Sequence, residues 1–237
     1  MKIRPSLIAL LSMLPLGALL VGYTAQPVTN GGTIQGSVHL TGAVPRLQPY
    51  PVTDATQQGA CTASVANEEL VVGPGGTLGN AVVWIDGITS GAPTRPAELT
   101  LDQRGCRYTP RVQAASVGSQ LTVISSDATL HNVHARDGAR SVFNIAMPAK
   151  GMRVRRPLQR PGMVEVKCDA GHTWMHAWIH VFAHPYFAVT AADGRFRIPN
   201  VPPGHYTVKI WHERYPVQTR QLDVSAAGTA TWDVSFH

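Results

Sequence analysis

From about residue 33 to the C-terminus, apolar and polar side chains alternate in short runs, and turn residues interrupt them at roughly eight- to twelve-residue intervals. An alternation of period two places one face of a strand in a core and the other outside. The runs predict strands at Thr33–Leu40, Leu70–Gly73, Ala81–Asp86, Leu99–Gln103, Leu121–Ser125, Met163–Lys167, Ala177–Ala183, Phe187–Thr190, Arg195–Ile198, Tyr206–Trp211 and Thr231–Phe236. Short strands at regular spacing argue for an all-β chain built as sandwiches or barrels, without long helices. The stretch from Leu47 to Val65, rich in Pro, Thr, Gln and Ala, reads as a long loop.

Asp193-Gly194 and Val201-Pro-Pro-Gly204 have the chemistry of tight turns, so the strands around them are expected to pair as antiparallel hairpins. The segment AADGRFRIPNVPPGHYTV, with its closing strand, resembles the carboxypeptidase regulatory-like (transthyretin-like) β-sandwich. Members of that family open on a strand like GTIQGSVHLTGAVP, which here lies far upstream at Gly32–Pro45, and a second matching piece, GNAVVWIDG, occupies Gly79–Gly87. The resemblance therefore implies a sandwich made from residues 31–95 and 185–237, with another domain inserted at 96–184. Three consecutive small units are the alternative, and a fragment of 185–237 that folded cooperatively would favour it.

Composition narrows the compartment and the partners. Of 237 residues, 44% are hydrophobic and 14% charged, enough apolar content for a buried core. The formal charge is +6, and removing Lys2 and Arg4 leaves +4 for residues 26–237, because residues 1–25 hold no acid. So modest and dispersed an excess does not fit nucleic-acid binding, which concentrates charge on one face. The densest basic run, Lys150, Arg153, Arg155, Arg156 and Arg160, reads as a solvated surface or as a steering patch for an acidic partner. A basic start, an apolar stretch from Leu7 to Gly22 and a small residue at Ala25 read as a secretory signal over residues 1–25. An uncleaved membrane anchor is the alternative. The expected address is periplasmic or secreted.

The middle of the chain carries the chemistry. One turn places Cys168, His172 and Met175 at C-x3-H-x2-M spacing between two strands, and His131 or His134 from an earlier strand can supply a further imidazole. A thiolate, two imidazoles and a weak thioether suit copper in both oxidation states. This region resembles the cupredoxin family (plastocyanin and amicyanin), through YTPRVQAASVGSQLTV, the Leu130-His131-Asn132-Val133 step and the Cys-His-Met loop. The resemblance implies a cupredoxin-like Greek-key β-sandwich holding one copper ion, with His131, Cys168, His172 and Met175 as ligands. It implies that Asn132 ties the two ligand loops together, and that the electron passes through the more exposed ligand, His172. The three-residue interval between Cys and His departs from the family's commonest loop. With Cys168 used as a ligand, Cys61 and Cys106 are left to pair as a disulfide.

Other residues have plainer readings. His172, His176, His180 and His184 recur every fourth position, but the β pattern there turns His176, Trp178 and His180 outward as solvated side chains, a second surface metal site being the alternative. Met147, Met152 and Met163 read as packing residues. No G-x-S-x-G, P-loop or H-E-x-x-H motif is present, and no second copper ligand set accompanies the first, so an enzyme is not expected. The leading expectation is an electron carrier meeting a transient redox protein such as a c-type cytochrome, with Thr173, Trp174 and Pro148 forming an apolar docking rim. A periplasmic copper-binding or copper-delivery protein, or a surface interaction module with a vestigial site, are the alternatives.

Overall fold

A computed structural model describes residues 22–237, so the expected signal segment lies almost wholly outside the described residues. The described residues are all-β apart from a helical turn at Ala55–Cys61 and a shorter 3-10 turn at Pro74–Gly76. Most of the strands form two pairs of packed sheets around two separate cores, with two short two-stranded sheets beside them.

In the first pair, the strand Gly32–Leu40 lies in the middle of one sheet. Arg195–Val201 runs antiparallel on one side of it; Thr229–Thr231 and Val234–Phe236 run parallel on the other. Ile34, Val38 and Leu40 point into the core, following the alternation of the sequence. Gly36 is required where the chain passes Trp232, because a Cβ there would sit 1.9 Å from the Trp232 carbonyl oxygen. The facing sheet has the order Phe187–Val189, Val82–Asp86, Gly204–His212, Tyr215–Val224, antiparallel throughout.

Neither expected hairpin forms. Gly194 does make a turn, at φ +68. Phe187–Val189 before it pairs with Val82–Asp86, however, while Arg195–Val201 after it pairs with Gly32–Leu40. Pro202-Pro203 likewise carries the chain from one sheet to the other. Each sheet takes a middle strand from residues before 96, so Phe187–Val189 is separated from Gly204–His212, and Arg195–Val201 from Thr229–Thr231, by strands distant in sequence. The hairpin that does form joins Gly204–His212 to Tyr215–Val224 across Glu213-Arg214. Its second strand alternates poorly because most of its side chains are exposed. Leu70–Gly73, expected as a strand, makes only the single bridge Val72 to Leu78.

The second pair contains a five-stranded sheet ordered Arg140–Met147, His131–Asp137, Gly162–Lys167, His176–Phe182, Val112–Ser116. A four-stranded sheet ordered Arg153–Pro157, Gln120–Ser125, Glu98–Gln103, Tyr108–Thr109 packs against it. Leu101, Leu121, Val123, Val133, Val166 and Ile179 fill the space between them. The stretch from Leu47 to Val65 is more than a loop. Tyr50–Pro51 pairs with Ser64–Val65, the helical turn lies between them, and Val52, Cys61 and Val65 are buried in this same core. The apolar residues scattered through a polar composition explain the difference: they fold the segment down as a cap.

The two halves meet along Val82, Val112 and Trp211, with Trp84, Trp178 and Phe182 against them. Arg111 and Glu213 join across this seam through two nearly buried contacts of 2.6 and 2.7 Å.

Candidate metal centre

His131 opens its strand opposite Met147 and is fully buried. Cys168 follows the strand Gly162–Lys167, and the loop from it to the strand His176–Phe182 carries His172 and Met175. That loop turns through Gly171 at φ +86, a backbone region that favours glycine, and the Met175 N–H donates to the His172 carbonyl at 2.9 Å. Cys168, His172 and Met175 are thereby held on one short turn facing His131, and all four side chains are buried.

The donor atoms converge. His131 Nδ1 lies 3.3 Å from His172 Nδ1, and Cys168 Sγ lies 3.6 Å from His172 Nδ1. One donor atom from each of these three residues falls within 4.8 Å of the others. Two imidazole nitrogens and a sulfur at this separation, beside a buried thioether, make a cluster compatible with a copper site.

The surroundings prepare these groups. Burial alone would raise the Cys168 thiol, but hydrogen bonds from His131 and His172 and from the backbone N–H groups of Ala170 and Asn132 outweigh it, bringing the pKa to about 6. A thiolate is the form that binds metal. Burial pushes His131 down, yet the Asp127 carboxylate and the Cys168 sulfur beside it raise it overall. Asp127 receives His131 Nε2 at 3.0 Å and the N–H groups of Gly105 and Cys106 at 2.8 Å each. These bonds hold its carboxyl below the usual range despite burial. With Nε2–H donated to Asp127, His131 turns Nδ1 to the cluster, where loss of its proton would leave a lone pair for a metal.

Asn132 touches both ligand loops. Its N–H donates to Cys168 Sγ at 3.3 Å, its Oδ1 accepts from the Asp169 N–H at 3.1 Å, and its carbonyl accepts from the Tyr108 hydroxyl. His134, the other candidate imidazole, is turned to Asp169 at 2.6 Å and Ser141 at 3.2 Å instead.

His172 is not the exposed ligand that the resemblance implies: it is 1% exposed. The cap covers it. Cys61 and Cys106 form a disulfide, and Cys61 Sγ lies 3.5 Å from His172 Nε2. Trp174 stacks edge-on to His172 and donates Nε1–H to the Cys106 carbonyl at 2.9 Å. Nor are His176, Trp178 and His180 solvated. Trp178 and His180 pack on the other half of the molecule, 5.3 and 4.5 Å from Trp211 between ring centroids, while His176 stays on its own sheet, bonded to Glu165 at 2.8 Å. Met147 is buried opposite His131, Met152 packs on the core, and Met163 is 39% exposed. Thr173 and Pro148 are exposed and Trp174 half-buried.

Sequence reasoning passed over Asp127 and Tyr108. Asp127 stands four residues before His131, a spacing that could have marked it as the partner of the distal ring nitrogen.

Residues 166–237 match the carboxypeptidase regulatory-like domain family. The match begins within the Gly162–Lys167 strand, upstream of the Cys-His-Met loop, and excludes Gly32–Leu40, the strand that completes the sandwich in space. No curated protein matches the chain. Among solved structures, a copper-containing nitrite reductase from Thermus scotoductus SA-01 aligns at 20% identity over 38% of this chain, with a TM-score of 0.32; the aligned part spans only 24% of that enzyme. A methionine-to-alanine mutant of amicyanin in its Cu(I) form aligns at 21% identity over 35% of this chain and 81% of its own, with a TM-score of 0.31. A purple cupredoxin from Nitrosopumilus maritimus aligns at 20% identity over 36% of this chain and 98% of its own, also with a TM-score of 0.31.

Proposed function

We propose that this protein binds one copper ion through His131 Nδ1, Cys168 Sγ and His172 Nδ1, with the Met175 thioether as a weaker fourth donor, and serves as an extracytoplasmic single-electron carrier. The observation that carries the reading is the convergence of three buried donor atoms of the right chemistry within 4.8 Å. Copper in such a set supplies a one-electron couple between Cu(I) and Cu(II). The chain's own contribution is to fix the donors beforehand. Asp127 orients His131, Asn132 holds Cys168 and the start of its loop, and the surrounding core excludes water from the cluster. Rigid donors leave little to rearrange when charge changes.

A disulfide agrees with an oxidising compartment outside the cytoplasm. For a partner we propose a transient redox protein, a c-type cytochrome being the class that fits. With the His172 edge covered, we place the contact on the exposed residues beside His131 and its neighbour strand: Leu130, 49% exposed, and Pro148. The same cover gives a second reading some weight. A protein that stores or hands over copper profits from a closed site, and slow electron exchange with retained copper would favour it.

The test is the visible absorption of the purified protein loaded with Cu(II), with Cys168→Ser as the control. The expected result is an intense thiolate-to-copper charge-transfer band that the variant lacks. Copper uptake without that band, and unchanged in the variant, would remove Cys168 from the site and end the electron-carrier reading.

A further inference from the structure

His172 presents its two ring nitrogens to two different donor sets. Nδ1 faces Cys168 and His131, at 3.6 and 3.3 Å. On the opposite edge of the ring, Nε2 lies 3.5 Å from Cys61 Sγ, and donor atoms of Cys61, Cys106 and His172 all fall within 4.8 Å of one another. All three residues are buried. Cys106 is held independently of its bond to Cys61, because its N–H donates to Asp127 at 2.8 Å and its carbonyl accepts from Trp174 at 2.9 Å. Cys61 is held by the cap, whose Val52 and Val65 are buried in the same core. Opening the disulfide would therefore leave two sulfurs beside an imidazole nitrogen.

We propose that the Cys61–Cys106 pair is a second metal site gated by its own oxidation state: reduced, its two thiolates and His172 Nε2 form a two-sulfur, one-nitrogen set for Cu(I). The reductant is a dithiol. It is oxidised to its cyclic disulfide while the Cys61–Cys106 bond breaks and two thiols form. Binding of one Cu(I) then displaces the two thiol protons to solvent, since thiolates are the ligating form; where Nδ1 already holds copper, the Nε2 proton would leave as a third and the His172 ring would serve both sites as an imidazolate. Two soft thiolates select Cu(I) over harder cations. The choice of copper rests on the function proposed above. The donor set itself is separate, sharing only the His172 ring, so the two ideas can fail independently.

The experiment is an anaerobic Cu(I) titration against bicinchoninate, run on protein with the disulfide intact and on protein reduced with dithiothreitol and desalted. The intact protein is expected to take one Cu(I) and the reduced protein two. Cys61→Ser/Cys106→Ser should take one under both conditions, and that retained equivalent shows the variant is folded. Cys168→Ser should take none when the disulfide is intact and one after reduction. A reduced wild type that takes one equivalent, as the double variant does, overturns the second site. A Cys168→Ser protein that keeps its equivalent with the disulfide intact overturns the first site instead, and leaves the gain on reduction to judge the second. X-ray absorption of reduced Cys168→Ser carrying one Cu(I) should show sulfur and nitrogen neighbours; sulfur alone would remove His172 from the proposed set.

Discussion

Asp127 was not singled out in the sequence, yet it ties the donor cluster to its surroundings. It bonds the distal nitrogen of His131 and two backbone N–H groups of the turn that carries Cys106. Outer partners of ligating imidazoles fix ring orientation, and their loss commonly costs about 10- to 100-fold in metal affinity. Asp127→Asn keeps the volume but loses the charge and one acceptor, so we expect a drop of that order in copper affinity in a competition titration. An unchanged affinity would mean that packing alone orients His131. At this scale the gathering of the four side chains was legible because C-x3-H-x2-M places three of them on one turn and the His-Asn step marks the fourth. Burial of His172 was not legible. It depends on Cys61, 111 residues away along the chain, being brought to the ring by a segment whose composition reads as loop.

At the scale of elements, single strands were easier to read than their partners. Alternation exposes a strand with one buried face, and it located Gly32–Leu40 and Gly204–His212 to within a few residues. It passed over Arg153–Pro157, an edge strand in which exposed Arg153 and Arg155 alternate with half-buried Val154 and Arg156. Turn chemistry reported the turns but not whether the flanking strands share a sheet. The pairings bear on how the sandwich folds. A fragment of 185–237 lacks Gly32–Leu40, which separates Arg195–Val201 from Thr229–Thr231, and Val82–Asp86, which separates Phe187–Val189 from Gly204–His212. Only the hairpin Gly204–Val224 keeps its partner, and an isolated hairpin is marginal in water. We expect the fragment to show no cooperative transition in urea. A sigmoidal unfolding curve would sink the interrupted-sandwich reading.

Across the whole molecule, the seam between the halves and the sandwich beside it bury histidines that make stability depend on pH. His180 packs among Trp84, Phe182 and Trp211, and its Nε2 has no hydrogen-bond partner among the described residues. His184 lies against Tyr23, Phe182 and Tyr186, with Asp86 near enough to favour its charged form slightly. His212 lies against Tyr215 and Phe236, with Arg214 and Arg111 opposing its charge. Burial pushes each of the three from 6.5 to about 4. Below pH 6.5 the unfolded chain takes up protons at these rings while the folded chain does not, so protonation favours unfolding. Their contribution is complete above the unfolded value, shrinks as pH falls through the window, and is gone once the folded value is passed. A displacement of this size corresponds to about 3 kcal/mol per ring at its limit. Carboxylates held below their usual range, such as Asp127 and Glu69, add their own loss only at lower pH, which leaves the window from 6.5 down to about 4.5 mainly to the histidines. The Cys168 thiol titrates in that window too, so the measurement belongs on copper-free Cys168→Ser protein. Its urea midpoint should fall steadily between those limits. His176, also held below its usual value by burial, adds to the same fall, so adding His180→Leu, which keeps an apolar group among the tryptophans, should reduce the fall without abolishing it. A flat midpoint across the window would show that the rings protonate in place, and that the seam admits the water their burial excludes.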